Sequence, residues 1–493
     1  MRHYLLFALC FPVLLCAQDL KEFEKNVTEF DLPNGMHFIV LERHQAPVVS
    51  FYAQVNSGST DDPGGKSGLA HMFEHMIGKG TAGIGSKDWG FEKKALEAVE
   101  AAYDKLEAER GKGPRANAST VERLQNILKS EIEKANKYVD PNAYTRLIDE
   151  NGAVGFNAST GMDFTNYYYS LPSNRAELWF LLQSSWFKRP VFREFYKERD
   201  VVRDERRMRV ESSPQGKLQE MLLATAFTAH PYRNLVGWAS DIENLRATDA
   251  EEFFKSQYVP ENIVVSIAGD ITAADAKKLA QKYFAPLPAG PSPMHRPTDE
   301  PKQEGEKRVT VETPAQPMLY IGYKRPGDLH KDDPVFDVLS SILSSGRTGI
   351  LYKELVRDKK IALGAATAAT LPAGRHPHLF LFISAPASGH TVEESEKAWY
   401  EIIGRLKKAP VDKESLERVK TKLRAGLIRG LDSNSGLASQ LAQYYATYGN
   451  WRKLFTGLSE IEKVTAEDVQ RVANEYFGSS SRTVAYTVKG AAQ

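Results

Sequence analysis

Two segments in different parts of the chain resemble each other. Residues 242–258 and residues 461–477 align without a gap, and an apolar, strand-like segment follows each of them, at residues 262–268 and 483–488. The identical positions are Ile242 and Ile461, Glu243 and Glu462, Ala247 and Ala466, and Asp249 and Asp468. A helix followed by a strand, present twice, predicts a chain built from two copies of one α+β unit.

A stretch rich in proline and polar residues separates the two copies. Residues 286–305 have the composition of an interdomain linker. The sequence therefore predicts two homologous α/β-sandwich domains, at residues 18–285 and 306–493. The length of 493 residues, with 42% hydrophobic and 26% charged residues, is sufficient for packed cores and excludes a disordered or disulfide-rich chain.

The first domain contains a charged helical segment between two strand-rich parts. Strand-like residues occur at 36–41 and 47–55 before this segment, and at 153–159 and 164–171 after it. Within residues 91–138, apolar residues follow helical spacing on both sides of a break that contains glycine and proline: Leu96, Val99 and Leu106, then Leu124, Ile127, Leu128 and Ile132. We predict an antiparallel helical hairpin, inserted at a loop and self-contained, whose removal would leave folding largely intact.

The first 17 residues have the pattern of a secretory signal peptide. A basic start is followed by an apolar run over residues 4–15 and by Ala17, after which we place the cleavage site. Export predicts a periplasmic protein. The bulky Leu15 disfavours lipid attachment at Cys16, and a buried N-terminal helix is the alternative. No other stretch is apolar over ~18 residues, so we expect no membrane span in the mature chain. The net charge of +1 gives no reason to expect a nucleic-acid partner.

Residues 68–76, GLAHMFEHM, contain the most informative motif. On a helix, the imidazoles of His71 and His75 leave the same face about one turn apart, where both can bind one Zn²⁺. Glu74 lies on that face too and can act as general base on a water held by the metal. This His-x-x-Glu-His order is the motif of inverted zincins. The alternative is a hydrogen-bonded histidine pair without a metal.

The histidine pair requires a third ligand, because a catalytic zinc ion takes three protein ligands and leaves one position for water. Cys10 and Cys16 are the only cysteines in the sequence, and both precede the expected cleavage site. The third ligand must therefore be a histidine, an aspartate or a glutamate, and spacing alone does not say which.

Five motifs spread over the chain support a family resemblance. They are GLAHMFEHM with GKGT at residues 78–81, GFNAST at 155–160 with DFTNY at 163–167, ERDVVRDE at 198–205, His230-Pro231-Tyr232, and Gly346-Arg347 with LYKEL at 351–355. With these motifs the chain resembles the pitrilysin/insulinase zinc metallopeptidases, in the bacterial branch similar to mitochondrial processing peptidase. The resemblance covers essentially the whole mature chain.

The resemblance implies roles for three further residues. Glu205 takes the place of the third zinc ligand, and Glu198, two helical turns earlier, that of an outer group holding a ligand or a water. Asn157 takes the place of the residue that binds the substrate carbonyl, on a strand that receives an extended peptide. The implied activity is zinc-dependent hydrolysis of extended or unfolded peptides, with Glu74 as general base. The alternative is a non-catalytic scaffold or core subunit that keeps the fold.

The resemblance also bears on partners. Family members that act as single chains or homodimers carry an Arg and a Tyr in the second domain, at the positions of Val356 and Leu363 here. Arg357 is adjacent, but one residue on a helix turns it about 100° away. The missing pair implies a heterodimer, in which a related chain without the His-x-x-Glu-His motif supplies both side chains. The alternative is a monomer or homodimer that functions without them.

Overall fold

Six strands form the first sheet of the computed structural model, which describes residues 20–21 and 23–489. They are β1 (Val27–Asp31), β2 (His37–Glu42), β3 (Val48–Val55), β4 (Val154–Thr160), β5 (Thr165–Pro172) and β6 (Ile263–Gly269). Their order across the sheet is β1-β2-β6-β3-β5-β4. Strand β6 is buried at every position because the sheet is covered on both faces. The strands predicted from the sequence are confirmed, and β1 is one that the sequence analysis missed.

The second sheet repeats this topology. Its strands are β7 (Lys307–Thr313), β8 (Leu319–Arg325), β9 (Ala362–Leu371), β10 (His378–Pro386) and β11 (Arg482–Lys489). Their order, β7-β11-β8-β10-β9, corresponds to that of the first sheet without β1. In both sheets the first pair of this shared order, β2 with β6 and β7 with β11, is parallel, and the other pairs are antiparallel. The predicted duplicated α+β fold is confirmed.

Helices pack on both sheets. In the first half of the chain (residues 23–285) they are α1 (Leu69–His75), α2 (Trp89–Arg110), α3 (Ala118–Asn136), α4 (Ala143–Glu150), α5 (Ala176–Lys188), α6 (Phe195–Arg206), α7 (Pro214–Ala226), α8 (Ala239–Asn244), α9 (Ala247–Gln257) and α10 (Ala273–Tyr283). In the second half (residues 306–489) they are α11 (Asp333–Ser344), α12 (Val392–Lys408), α13 (Lys413–Gly430), α14 (Asn434–Tyr448), α15 (Lys453–Lys463) and α16 (Ala466–Tyr476).

The two halves interlock by exchanging one helix each. Helix α7 of the first half packs on the second sheet, where Leu222 joins a buried cluster with Leu381 of β10. Helix α14 of the second half packs on the first sheet, where Leu441 joins a buried cluster with Ile39 of β2. Each sheet is therefore covered on one face by its own helices and on the other by a helix from the opposite half.

The hairpin of α2 and α3 is not self-contained, and that prediction is wrong. Val99, Tyr103 and Leu106 of α2 belong to the same buried cluster as the core of the first sheet. Glu92 of α2 is fully buried, and its carboxylate lies 2.7 Å from Nε of Arg193, which is 1% exposed. The reason is that the buried face of α2 packs against the core of the first sheet as well as against α3.

The segment between the halves has no helix or strand from residue 286 to residue 306, but it is attached to the first half. Glu300 accepts hydrogen bonds from the backbone N–H groups of residues 228–230, and His295 lies 2.7 Å from Asp61. Among the residues that the structure describes, no helix is both long and apolar enough to cross a bilayer. The predicted signal peptide, residues 1–17, lies outside the described residues.

Candidate metal centre

Helix α1 is anchored so that one face points into a cleft. Leu69, Met72 and Phe73 are fully buried on its other side. At its start, Gly68 has φ +94°, a left-handed conformation that favours glycine. The carboxylate of Asp62 accepts hydrogen bonds from the N–H groups of residues 68 and 70, at 2.7 and 2.8 Å, and so caps the helix.

The structure brings His71, His75 and Glu205 together. The Nε2 atoms of His71 and His75 each lie 3.6 Å from an oxygen of the Glu205 carboxylate. One donor atom from each residue can be chosen so that all three lie within 4.8 Å of one another. Ligand atoms about 2.1 Å from a tetrahedral zinc ion are about 3.4 Å apart, so the donor set fits zinc.

The surroundings favour a neutral His71 imidazole and a more basic Glu74 carboxylate. Burial, with His75 and Arg209 nearby, lowers the pKa of His71 to about 3, so that the ring keeps a lone pair for a metal. Burial raises the pKa of Glu74 above its ordinary value. Arg209 follows Glu205 by one helical turn, and its Nη2 atom lies 3.1 Å from the Glu205 carboxylate.

A cleft of about 670 Å³ contains the three donors, Glu74 and Asn157. Its far wall is β4, the edge strand of the first sheet, on which Asn157 is exposed. Between Val154 and Asn157 the pairing of β4 with β5 is irregular, and Gly155 there has φ +70°. The outer edge of β4 is thus presented beside the donor set.

Glu198 lies next to the donors without belonging to them. Its Oε2 atom is 3.6 Å from Nδ1 of His75, and its Oε1 atom is 2.6 Å from Nζ of Lys79. Burial disfavours its charge, but the contacts with His75 and Lys79 outweigh burial and lower the pKa of Glu198 to about 2. Glu198 therefore sits on the side of the His75 ring opposite Glu205.

Sequence reasoning missed three residues at this site. Asp62 caps α1, Lys79 holds Glu198, and Arg209 lies beside Glu205. Only Arg209 had a usable signal, because it is four residues after a candidate ligand on a helix. Asp62 and Lys79 act through loop geometry, which spacing does not specify.

The two positions at which other family members carry an Arg and a Tyr lie in the second half. Val356, in a π-helical segment at Tyr352–Asp358, packs against the core of that half. Leu363 is 65% exposed on β9, the edge strand of the second sheet. Arg357 pairs with the neighbouring Asp358 at the surface.

Comparison with known proteins agrees with this architecture. A family model described as "Insulinase (Peptidase family M16)" matches residues 128–237, and one described as "Peptidase M16 inactive domain" matches residues 244–423. The duplicated fold with a His-x-x-Glu-His helix is that of a two-domain inverted zincin. The chain belongs to the pitrilysin/insulinase family.

Similar proteins cover nearly the whole chain. A Helicobacter pylori protein named zinc protease PqqE is 27% identical over 470 residues, 92% of this chain and 91% of that one. A probable mitochondrial-processing peptidase subunit beta of Schizosaccharomyces pombe is 23% identical over 90% of this chain and 87% of its own length. The crystal structure of a protease from Helicobacter pylori superposes with a TM-score of 0.77 at 24% identity, covering 94% of this chain and 99% of that one.

Proposed function

We propose that the chain is a zinc-dependent endopeptidase or oligopeptidase that cleaves extended or unfolded peptides. The observation that carries the proposal is the convergence of His71, His75 and Glu205, with Glu74 in the same cleft. The names of the similar proteins, several of them zinc proteases, support zinc as the metal.

The residues of the cleft divide the work of peptide hydrolysis. A zinc ion, when bound, would lower the pKa of a water ligand and polarise the scissile carbonyl. The Glu74 carboxylate takes a proton from the attacking water and passes it to the leaving amine nitrogen. Its raised pKa suits this role, because a base works best when its pKa is near the operating pH.

The edge of β4 supports the choice of an extended substrate. An edge strand carries backbone N–H and C=O groups that can pair with another strand, and an extended peptide satisfies them by strand addition. The Asn157 side chain amide would then lie close to the substrate carbonyl and hydrogen-bond to it. A folded substrate could not present its backbone in this way, so we propose unfolded or short peptides.

We further propose that a related chain completes the enzyme. The positions of the missing Arg and Tyr are occupied by apolar residues, Val356 and Leu363. The similarity to a protein named as a peptidase subunit supports a heterodimer with a chain that lacks the zinc motif.

On the pattern of residues 1–17 we propose a periplasmic location, without lipid attachment at Cys16.

The purified chain is expected to contain about one zinc ion and to hydrolyse an unstructured, internally quenched peptide. A chelator should abolish hydrolysis, and added zinc should restore it. Activity should rise at least about tenfold when a related chain without the zinc motif is added, as for other groups that stabilise the transition state. Full turnover by the isolated chain would contradict the heterodimer. Stoichiometric zinc without hydrolysis, even with the partner, would favour the alternative of a scaffold subunit.

Replacing each of the two glutamates of α6 in turn should show which one is a zinc ligand and which one only supports a ligand. Glu205→Gln is expected to weaken zinc binding by more than about 100-fold because it removes a ligand, and Glu198→Gln by about 10- to 100-fold because it removes only a support. Competition with a chromophoric chelator measures both affinities. If Glu198→Gln proves the weaker binder and Glu205→Gln resembles wild type, the assignment of these two residues must be reversed.

A further inference from the structure

Two consecutive residues contact Lys79, one at its backbone carbonyl group and the other at its side-chain ammonium group. The guanidinium of Arg193 donates to the Lys79 carbonyl oxygen, and the carboxylate of Glu194 lies 3.1 Å from the Lys79 ammonium. The same ammonium lies 2.6 Å from Glu198, which in turn faces Nδ1 of His75. We infer that Lys79 is a positioning residue, which fixes Glu198 against His75 and so orients this imidazole for the metal. The inference rests on the proposed zinc site.

The backbone at Glu194 supports this role. Glu194 has φ +55°, and only two other non-glycine residues in the described part of the chain have a positive φ. L-residues disfavour this conformation, and glutamate has no short side chain that would offset the cost locally. Such strain persists where surrounding contacts hold it, and it is concentrated at functional sites. Here it lies directly before α6, the helix that carries Glu198.

The carbonyl end of Lys79 is held by a buried arginine. Arg193 is 1% exposed and donates to the carbonyl oxygens of Thr81 and Ile84, each at 2.8 Å, besides that of Lys79. Its charge is balanced by Glu92 at 2.7 Å. The loop after Lys79 is therefore wrapped around one guanidinium group.

Glycine makes this wrapping possible. A Cβ atom on Gly80 would lie 2.4 Å from the carbonyl oxygen of Ile84, and one on Gly85 would lie 2.7 Å from the Arg193 guanidinium. Both glycines also have left-handed φ values, +79° and +92°. The path of the loop is thus fixed on both sides of the guanidinium, and with it the point from which the Lys79 side chain extends.

The position of Glu198 explains how its contact with Lys79 can affect the metal ligand His75. The Nε2 atom of His75 faces Glu205, the expected ligand, whereas Glu198 faces Nδ1. A carboxylate that accepts the Nδ1–H of a ligand histidine leaves the Nε2 lone pair for the metal and fixes the ring orientation. The Lys79 ammonium, 2.6 Å from Glu198, holds this side chain where its Oε2 atom faces Nδ1 of His75 at 3.6 Å.

A positioning role and a purely electrostatic role predict opposite results. The Lys79 ammonium is a cation near a cation site, so its charge alone would weaken metal binding, and its removal would tighten it. If Lys79 acts by fixing Glu198, its removal weakens binding. The direction of the change in zinc affinity therefore decides between the two roles.

The test compares zinc affinity in Lys79→Met, Lys79→Arg and Lys197→Met with wild type, by competition with a chromophoric chelator. Lys79→Met is expected to bind zinc about 10- to 100-fold more weakly than wild type, the range for outer partners of metal ligands. Lys79→Arg should recover most of the lost affinity. Lys197→Met is the matched control, because the Lys197 ammonium contacts the same Glu194 at 2.9 Å but is 61% exposed. It should bind zinc like wild type.

Two further measurements separate positioning from folding. The absorption spectrum of the cobalt-substituted protein should change in Lys79→Met, because the ligand geometry changes, while the metal-free variant should still melt cooperatively. Zinc binding by Lys79→Met as tight as wild type or tighter overturns the inference, and so does a metal-free form that no longer melts cooperatively. If the wild-type protein binds no zinc, both this inference and the proposed function are overturned. If the wild-type protein binds zinc and Lys79→Met binds it with the same affinity, only this inference is overturned.

Discussion

Glu74→Gln is expected to bind zinc like wild type and to lose peptide hydrolysis by about 10²- to 10⁴-fold, the usual contribution of a general base. Glutamine has nearly the same shape as glutamate, so the cleft and the three donors should be unchanged. The amide cannot accept a proton from water at neutral pH. The other carboxylates that line the cleft are not free for the task, because Glu205 is the expected ligand and Glu220 is paired with Arg206 at 2.7 Å.

The measurement is the steady-state rate on a quenched peptide, with the zinc content of the same sample. Glu205→Gln serves as the comparison, because it should lose activity together with zinc, whereas Glu74→Gln should lose activity alone. A Glu74→Gln protein that retains zinc and more than about a tenth of the wild-type rate would show that the proton is moved by another group.

Local patterns predicted much of the fold and part of the site. The repeated helix–strand order indicated the duplication, because both copies keep identical residues at equivalent positions, such as Ala247 and Ala466, each the first residue of its helix. The spacing of His71 and His75 predicted a shared helical face, since that relation follows from helix geometry alone. Glu205 was assigned only through the family resemblance, because spacing along the chain does not show which distant acid faces the pair.

Contacts between distant segments could not be predicted in the same way. The apolar residues of helices such as α7 and α14 do not show which sheet these helices will cover, so the exchange between the halves was missed. Glu92 appears as one more acid in a charged helix, because a buried carboxylate cannot be recognised before its partner, Arg193, is known. The same limit hid Lys79, which meets Glu194 only in the folded chain.

The hairpin was misjudged for this reason, and its removal is now expected to have the largest effect on stability. Replacing residues 91–138 by a short Gly/Ser linker should abolish cooperative folding. Deletion leaves Arg193 buried without Glu92, and an uncompensated buried charge costs about 3–5 kcal/mol. It also removes Val99, Tyr103 and Leu106 from the core, at about 1.5–3 kcal/mol for each large side chain. Together these losses reach the ~5–15 kcal/mol by which domains are stable.

A matched control replaces only the turn at residues 111–116, which is exposed or half-buried, by a Gly/Ser sequence of equal length. This variant should melt within a few degrees of wild type, because surface changes usually cost less than about 0.5 kcal/mol. Circular dichroism during heating compares the two. A deletion variant with a cooperative transition near that of wild type would mean that the first half folds without the hairpin. In that case Arg193 must be neutralised by another group, and zinc binding by the deletion variant would show whether Lys79 keeps its place without Glu92.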